Sequence, residues 1–196
     1  MKLKAVLTPF AFGLLGAPLL VALHELGHYG VGKWHGFTVR YSYAAVRYDG
    51  PPGSISDRAE TLITLGGPMV EVVVATTAWV LVRRLRRGRG HEPASVADWL
   101  ASSACVLAAG RWLRCVTGTP QLPQPADEAM LSGAMGLPVW VLPYGLAPLS
   151  LLVIVAVIRQ HPPGQRLVPF LVLCSSAAGG LALWFGVVGP ALFPRT

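Results

Sequence analysis

The chain has 196 residues, of which 53% are hydrophobic and only 13% are charged, and its mean hydropathy is +0.54. This composition excludes an ordinary soluble domain and predicts a single membrane-embedded domain, residues 1–196, whose packed helices face lipid. The net charge of +7 does not indicate nucleic-acid binding, because the arginines lie between apolar segments and no recognition motif accompanies them. We interpret these arginines as topological anchors and headgroup contacts.

The first uncharged segment, residues 5–23, is nineteen residues long and follows Lys2 and Lys4. That length is about what an α-helix needs to cross a bilayer. A basic start and an apolar centre also occur in signal peptides, but no small-residue cleavage site ends this segment, so we expect a retained helix. Pro9 and Pro18 are expected to bend it.

An HExxH motif, formed by His24, Glu25 and His28, follows this segment directly. Residues four apart share a helix face, so both imidazoles can bind one metal ion. Zinc in such a site has three protein ligands and lowers the pKa of a bound water toward roughly 7, and Glu25 would accept the proton of that water. HExxH also occurs by chance, but ionisable side chains at membrane depth are costly unless they face a polar cavity or an ion. The motif therefore predicts zinc-dependent hydrolysis inside a membrane.

Residues 36–56 differ in character from the apolar segments around them. Aromatic and β-branched residues are frequent over 37–43, and residues 49–53 are typical of a turn. We predict a short hairpin or re-entrant strand near the membrane surface. Two interpretations of this segment stay open. Its edge would pair with an extended substrate, or the segment would be an interfacial loop that tyrosines anchor.

The remaining chain predicts further crossings, over residues 61–82, 96–116, 139–158 and 167–193. The segment over 96–116 is the weakest of these, because charged residues shorten its apolar part. Residues 129–138 precede the fourth crossing and contain Gly136 and Pro138, so we expect a broken or partial helix there. The predicted fold is an all-α, multi-pass membrane protein with about five transmembrane helices and a short hairpin or loop after the first.

A zinc site built on two histidines needs a third ligand, and Glu71, Asp127 and Glu128 are the candidates. Glu71 lies inside the second apolar segment, where a charge is costly. His35 is excluded, because on a continuing helix it would lie about 10 Å beyond His28. The residues alone leave the choice among the three carboxylates open.

Three motifs, in this order along the chain, resemble the site-2 protease family of intramembrane zinc metalloproteases. They are residues 24–29, the Gly66-Gly67-Pro68 sequence in the next helix, and the Pro-rich residues 117–126 that lead into Asp127. The resemblance covers roughly residues 15–135. It implies His24, His28 and Asp127 as zinc ligands and Glu25 as the catalytic base and acid.

Two positions depart from the family pattern. Glu128 follows Asp127 where the family usually has glycine, and Glu71 stands where the family tends to have an asparagine associated with the substrate cleft. Glu71 is therefore a candidate for substrate binding or for the third ligand, and Glu128 for the third ligand.

These features predict an intramembrane zinc metalloendopeptidase of a bacterial cell membrane, with Zn²⁺ as its cofactor. Its expected partners are the lipid bilayer and a membrane-spanning or membrane-adjacent protein or peptide substrate, and no nucleic acid. The alternatives are a catalytically silent metal-binding membrane protein and a metal transporter. The retained Glu25 argues against the first, and a transporter would need more ionisable residues along several helices.

Overall fold

The computed structural model describes residues 3–43, 45–49, 55–89, 92–118 and 127–193, with side chains throughout except at 112–118. Most of these residues are helical. The helices are α1 (Lys4–Trp34), α2 (Asp57–Arg86), α3 (Val96–Gly118), α4 (Asp127–Ala134), α5 (Val141–Arg159), α6 (Leu167–Leu183) and α7 (Gly189–Leu192). A 3-10 turn (Pro163–Gln165) precedes α6, and a π-helical turn (Trp184–Val188) joins α6 to α7. The strands are β1 (Val39–Tyr41) and β2 (Val46–Tyr48).

Among the described residues, four helical segments are long and apolar enough to cross a membrane, namely α1, α2, α5 and the segment Pro163–Leu192. This arrangement is compatible with a multi-pass membrane protein and agrees with the mostly helical fold expected from the sequence. The sequence predicted about five crossings, and α3 is the predicted crossing that this set does not include. That helix has 23 residues, but Asp98 and Arg111 interrupt its apolar part and it is not among the four.

The position of α3 explains its lower hydropathy. It packs against α1, α2 and α5, so much of its surface faces protein. Cys105, Ala108 and Ala109 are fully buried on it, and Cys105 and Ala109 belong to a core cluster with residues of α2, α5 and α6. Small side chains let neighbouring helices approach closely, and a helix enclosed in this way needs less apolar surface than one that faces lipid.

Two glycines bring the backbones of α1 and α2 into contact. A Cβ atom on Gly66 would lie 2.6 Å from the carbonyl oxygen of Gly27, and a Cβ atom on Gly27 would meet the carbonyl oxygen of Gly66. Neither position therefore has room for a side chain. This close approach fixes the HExxH turn of α1 against the middle of α2.

The predicted hairpin is confirmed as a two-stranded antiparallel sheet, with Val39 opposite Tyr48 and Tyr41 opposite Val46. It packs on α1, where the hydroxyl of Tyr41 donates to the carbonyl oxygen of Ala22 at 3.1 Å. Of the predicted turn at 49–53, only residue 49 lies within the described residues. Pairing of a strand edge with substrate stays a prediction.

The partial helix expected before the fourth crossing corresponds to α4, which has eight residues. It ends at Ala134. Gly136, two residues further on, has a φ of +72° that is readily adopted only by glycine, and the amide of Leu137 donates to the carbonyl oxygen of Ser132 at 2.9 Å. The Pro-rich approach to α4 falls largely outside the described residues, at 119–126. In α1 the helix is continuous through Pro9 and Pro18, and the expected bend stays a prediction.

His161 is a buried histidine in the connection between α5 and α6, outside the candidate spans. Its Nε2 atom lies 2.7 Å from the hydroxyl of Ser102, and its ring stacks on Trp99 with the ring centres 4.1 Å apart. Burial, and then the nearby charge of Arg86, lowers the pKa of His161 from 6.5 to about 4. The imidazole is therefore neutral in the folded protein at neutral pH.

This lowered pKa predicts a loss of stability in acid. The folded state binds the His161 proton more weakly than the unfolded state, so the stabilisation is complete above the ordinary pKa of 6.5 and is lost as the pH falls toward the folded value. We expect the free energy of unfolding to decrease by up to about 3 kcal/mol over that interval. Unfolding of the detergent-solubilised protein as a function of pH, with His161→Gln as the control, tests this. Equal pH dependence in the two proteins would contradict it.

Candidate metal centre

His24 and His28 are buried on the face of α1 that packs against α2, and Glu25 is buried beside them. His24 is 1% exposed, His28 is 7% exposed and Glu25 is 9% exposed. The two imidazoles meet edge to face, and their Nε2 atoms lie 3.0 Å apart. The helical spacing therefore brings both histidines to one point, as the sequence predicted.

Asp127, the first residue of α4, joins the two histidines. Its Oδ2 atom lies 2.8 Å from Nε2 of His24 and 3.3 Å from Nε2 of His28. Within the described parts of the chain, these three side chains form the group that could hold a metal ion, with one ligand atom from each within 4.8 Å of the others. The structure thus brings together the three residues that the family resemblance implied.

The contacts of the opposite ring nitrogens indicate which atoms face the metal position. Nδ1 of His28 lies 2.7 Å from the carbonyl oxygen of Ile63, which can only accept, so this nitrogen donates. Nδ1 of His24 lies 3.0 Å from Oε1 of Glu71. A histidine that donates from Nδ1 presents a lone pair at Nε2, the form that binds metals. Nε2 of His28 is therefore an acceptor, and Nε2 of His24 is one too, because Nη2 of Arg111, which can only donate, lies 2.8 Å from it. Both Nε2 atoms lie close to Oδ2 of Asp127.

This convergence of acceptors fits a cation. Two imidazole nitrogens and a carboxylate oxygen lie 2.8 to 3.3 Å from one another, an arrangement that positive charge stabilises, and Arg111 supplies part of that charge. Ligands around a tetrahedral zinc ion at roughly 2.0–2.1 Å are about 3.3 Å apart. The separations in this protein, 2.8 to 3.3 Å, approach that value, so the three residues could hold a metal ion such as zinc.

The charges of the centre also favour a divalent ion. Glu25, Glu71 and Asp127 are carboxylates at or beside the centre, and Glu25 lies within electrostatic reach of both histidines, Arg111 and Asp127. Among the described side chains, Arg111 supplies a positive charge beside these acidic groups. A divalent cation would further stabilise acidic groups that are buried together.

Glu71 lies against a different nitrogen of His24 from the one that faces Asp127. It is fully buried, and its Oε1 atom contacts Nδ1 of His24 at 3.0 Å and Nε of Arg111 at 2.7 Å. A carboxylate on the far nitrogen of a metal-binding histidine orients the ring and raises its basicity. Glu128 is also buried. Within the described parts of the chain, neither glutamate contributes an atom to the metal-capable group.

Arg111 is the residue of the centre that sequence reasoning missed. Its Nη2 atom lies 2.8 Å from Nε2 of His24 and 3.9 Å from Oδ2 of Asp127. The sequence analysis grouped it with the arginines that anchor the topology, which is wrong, since Arg111 lies among the metal-capable residues. The available signal was an arginine inside an otherwise apolar helix, where a charge needs a partner.

Gly67 of α2 leaves the space that the imidazoles occupy. A Cβ atom there would lie 2.5 Å from Nε2 of His24 and would also meet Nε2 of His28. We therefore expect Gly67→Ala to displace both ligand atoms. Zinc binding should weaken by at least about 10–100-fold, which is the usual cost of changing a residue that supports a metal ligand without binding the metal itself. Competition with a chromophoric chelator measures this affinity.

The matched control for this substitution is Gly30→Ala on α1, because a Cβ atom at Gly30 meets nothing within 4 Å. It should bind zinc as the unmodified protein does. Equal affinities of the Gly67→Ala and Gly30→Ala proteins would show that the imidazoles do not meet at this point.

Comparisons of the chain with protein families, with curated proteins and with solved structures gave no match. The functional assignment therefore depends on the motif and on the arrangement of the side chains around it.

Proposed function

We propose that this protein is an intramembrane zinc metalloprotease, similar to site-2 proteases, that hydrolyses peptide bonds of membrane-spanning or membrane-adjacent substrates. The observation that carries the proposal is the meeting of His24, His28 and Asp127 at one buried point between apolar helices, with Glu25 beside them. Catalytic zinc sites use this combination of three protein ligands and a neighbouring carboxylate.

The chemistry of the donors favours zinc over the alkaline-earth ions. Imidazole nitrogens suit zinc and other transition metals, whereas magnesium and calcium prefer oxygen ligands. His24, His28 and Asp127 would hold the ion, and Glu71 would orient His24 through Nδ1. When bound, zinc supplies a Lewis acid that polarises a peptide carbonyl and makes water acidic enough to attack it.

Glu25 is the proposed base and acid. It follows His24 directly on α1, is buried, and is not part of the metal-capable group. Its carboxylate takes a proton from the attacking water and later gives it to the nitrogen of the leaving amine. These two transfers return Glu25 to its starting state after each cleavage.

A peptide bond within a helix is protected by hydrogen bonds, so the substrate must unwind before it is cleaved. The hairpin is the proposed docking edge, because it packs on α1 just before the motif. Burial, and then the charge of Glu25, raises the pKa of Tyr48 to about 12. The Tyr48 phenol therefore stays protonated near the site, where it can donate a hydrogen bond to an extended peptide.

The proposal is tested with the purified protein in proteoliposomes that contain a single-span peptide, with products identified by mass spectrometry. We expect cleavage that stops when a chelator removes zinc and returns when zinc is restored. Zinc uptake is measured in the same vesicles, because a transporter is the main alternative from a different class. Zinc accumulation without cleavage would contradict the protease proposal.

A further inference from the structure

Arg111 carries a positive charge into the metal centre. Its side chain is 16% exposed and lies on α3, the helix that packs between α1, α2 and α5. A guanidinium has five N–H donors and no lone pair, so it cannot bind a metal ion. Its position beside the metal-capable group therefore calls for a different role.

One end of the guanidinium lies against a buried carboxylate. Its Nε atom lies 2.7 Å from Oε1 of Glu71, and Glu71 is fully buried and also contacts His24. Nε and Nη2 lie along the same edge of a guanidinium, so this contact turns Nη2 toward the same side of the centre.

The Nη2 end of this edge points at the centre itself. Nη2 lies 2.8 Å from Nε2 of His24 and 3.9 Å from Oδ2 of Asp127, the same two atoms that would bind the metal. A fixed donor at the reacting centre is the arrangement that stabilises negative charge in a transition state.

We infer that Arg111 is a catalytic residue that donates a hydrogen bond from Nη2 to the carbonyl oxygen of the scissile peptide. The inference rests on the proposed function. The water oxygen bonds to the carbonyl carbon while Glu25 takes its proton, and the electron pair of the C=O π bond moves onto the oxygen that faces Arg111. The C–N bond then breaks, the nitrogen receives the proton from Glu25, and the C=O bond is restored.

The test compares Arg111→Gln and Arg111→Lys with Arg84→Gln, an exposed arginine on α2 that serves as the control. We expect Arg111→Gln to lower kcat by about 10²–10³-fold, the usual effect of removing one such donor. KM should change by less than about threefold, because the contact forms mainly in the transition state. Zinc should stay bound at one ion per chain in all three variants.

A second measurement does not depend on turnover. A phosphinic peptide carries a tetrahedral anionic group in place of the scissile bond, so its binding reports the same contact. Calorimetry should show that Arg111→Gln weakens this binding by about the factor lost in kcat, since transition-state analogues share the interactions of the transition state. Arg111→Lys keeps the charge opposite Glu71, and it should fold, bind zinc and show a smaller loss.

The outcomes separate this inference from the proposed function. If the unmodified protein does not cleave in a Glu25-dependent way, both are overturned. If it cleaves but Arg111→Gln retains kcat and phosphinate affinity, only the role of Arg111 is overturned. If both Arg111 variants lose zinc, Arg111 is a positioning residue for the metal ligands and the inference is wrong.

Discussion

Replacement of Glu25 by alanine is expected to abolish peptide cleavage while zinc stays bound. The metal-capable group consists of His24, His28 and Asp127, so the substitution removes no ligand. It removes the carboxylate that takes the proton from water and returns it to the leaving amine. General acid–base catalysis contributes about 10²–10⁴-fold to a rate, so the loss should be at least of that order.

Two measurements on the same preparation check this expectation, namely zinc per chain and the initial rate of cleavage of a single-span peptide. Glu60→Ala is the matched control, because Glu60 is an exposed carboxylate on the first turn of α2. Turnover of Glu25→Ala at the rate of the control would show that Glu25 is not the base. Loss of zinc from Glu25→Ala would show instead that Glu25 supports the metal.

Replacement of Asp127 by alanine should remove both zinc and activity. The Oδ2 atom of Asp127 lies 2.8 Å from Nε2 of His24 and 3.3 Å from Nε2 of His28, and Asp127 provides the carboxylate of the metal-capable group in the described chain. Removing a residue that only supports a metal ligand already lowers the affinity for the metal by about 10–100-fold. Removing a ligand should therefore lower the affinity for zinc by more than about 100-fold.

Glu71→Ala distinguishes a ligand from a residue that orients one. Glu71 contacts Nδ1 of His24 and not the nitrogen that faces Asp127, so zinc should still bind, about 10–100-fold more weakly. Glu128→Ala should keep full affinity. If Asp127→Ala holds zinc fully while Glu71→Ala or Glu128→Ala loses it, that glutamate is the third ligand.

The local part of the site could be predicted from the sequence because helical spacing determines it. His24 and His28 are four residues apart, and residues at that spacing meet on one face of any helix. The mostly helical fold and the hairpin follow from apolar segments and β-branched residues in the same local way. Asp127 could not be predicted in this local way, because it lies 103 residues from His24 and no helical spacing relates the two. Only the resemblance to a family singled it out among the candidate carboxylates.

The roles of Glu71 and Arg111 could not be predicted, because they depend on how the helices pack. The Gly27 and Gly66 contact sets the register of α2 on α1, and that register decides which nitrogen of His24 Glu71 reaches. The sequence analysis placed Arg111 among the arginines that lie between apolar segments and anchor the chain at a membrane surface. Its helix is instead enclosed by α1, α2 and α5, and the charge is balanced within the site.

X-ray absorption at the zinc edge of the purified, zinc-loaded protein tests the central claim most directly. The account predicts one zinc ion per chain with nitrogen and oxygen ligands at roughly 2.0–2.1 Å, two of them imidazoles. His28→Ala should lose one imidazole signal, and Asp127→Ala should lose stoichiometric zinc. A protein that binds no zinc, or whose zinc has the same ligands after both substitutions, would contradict the assignment.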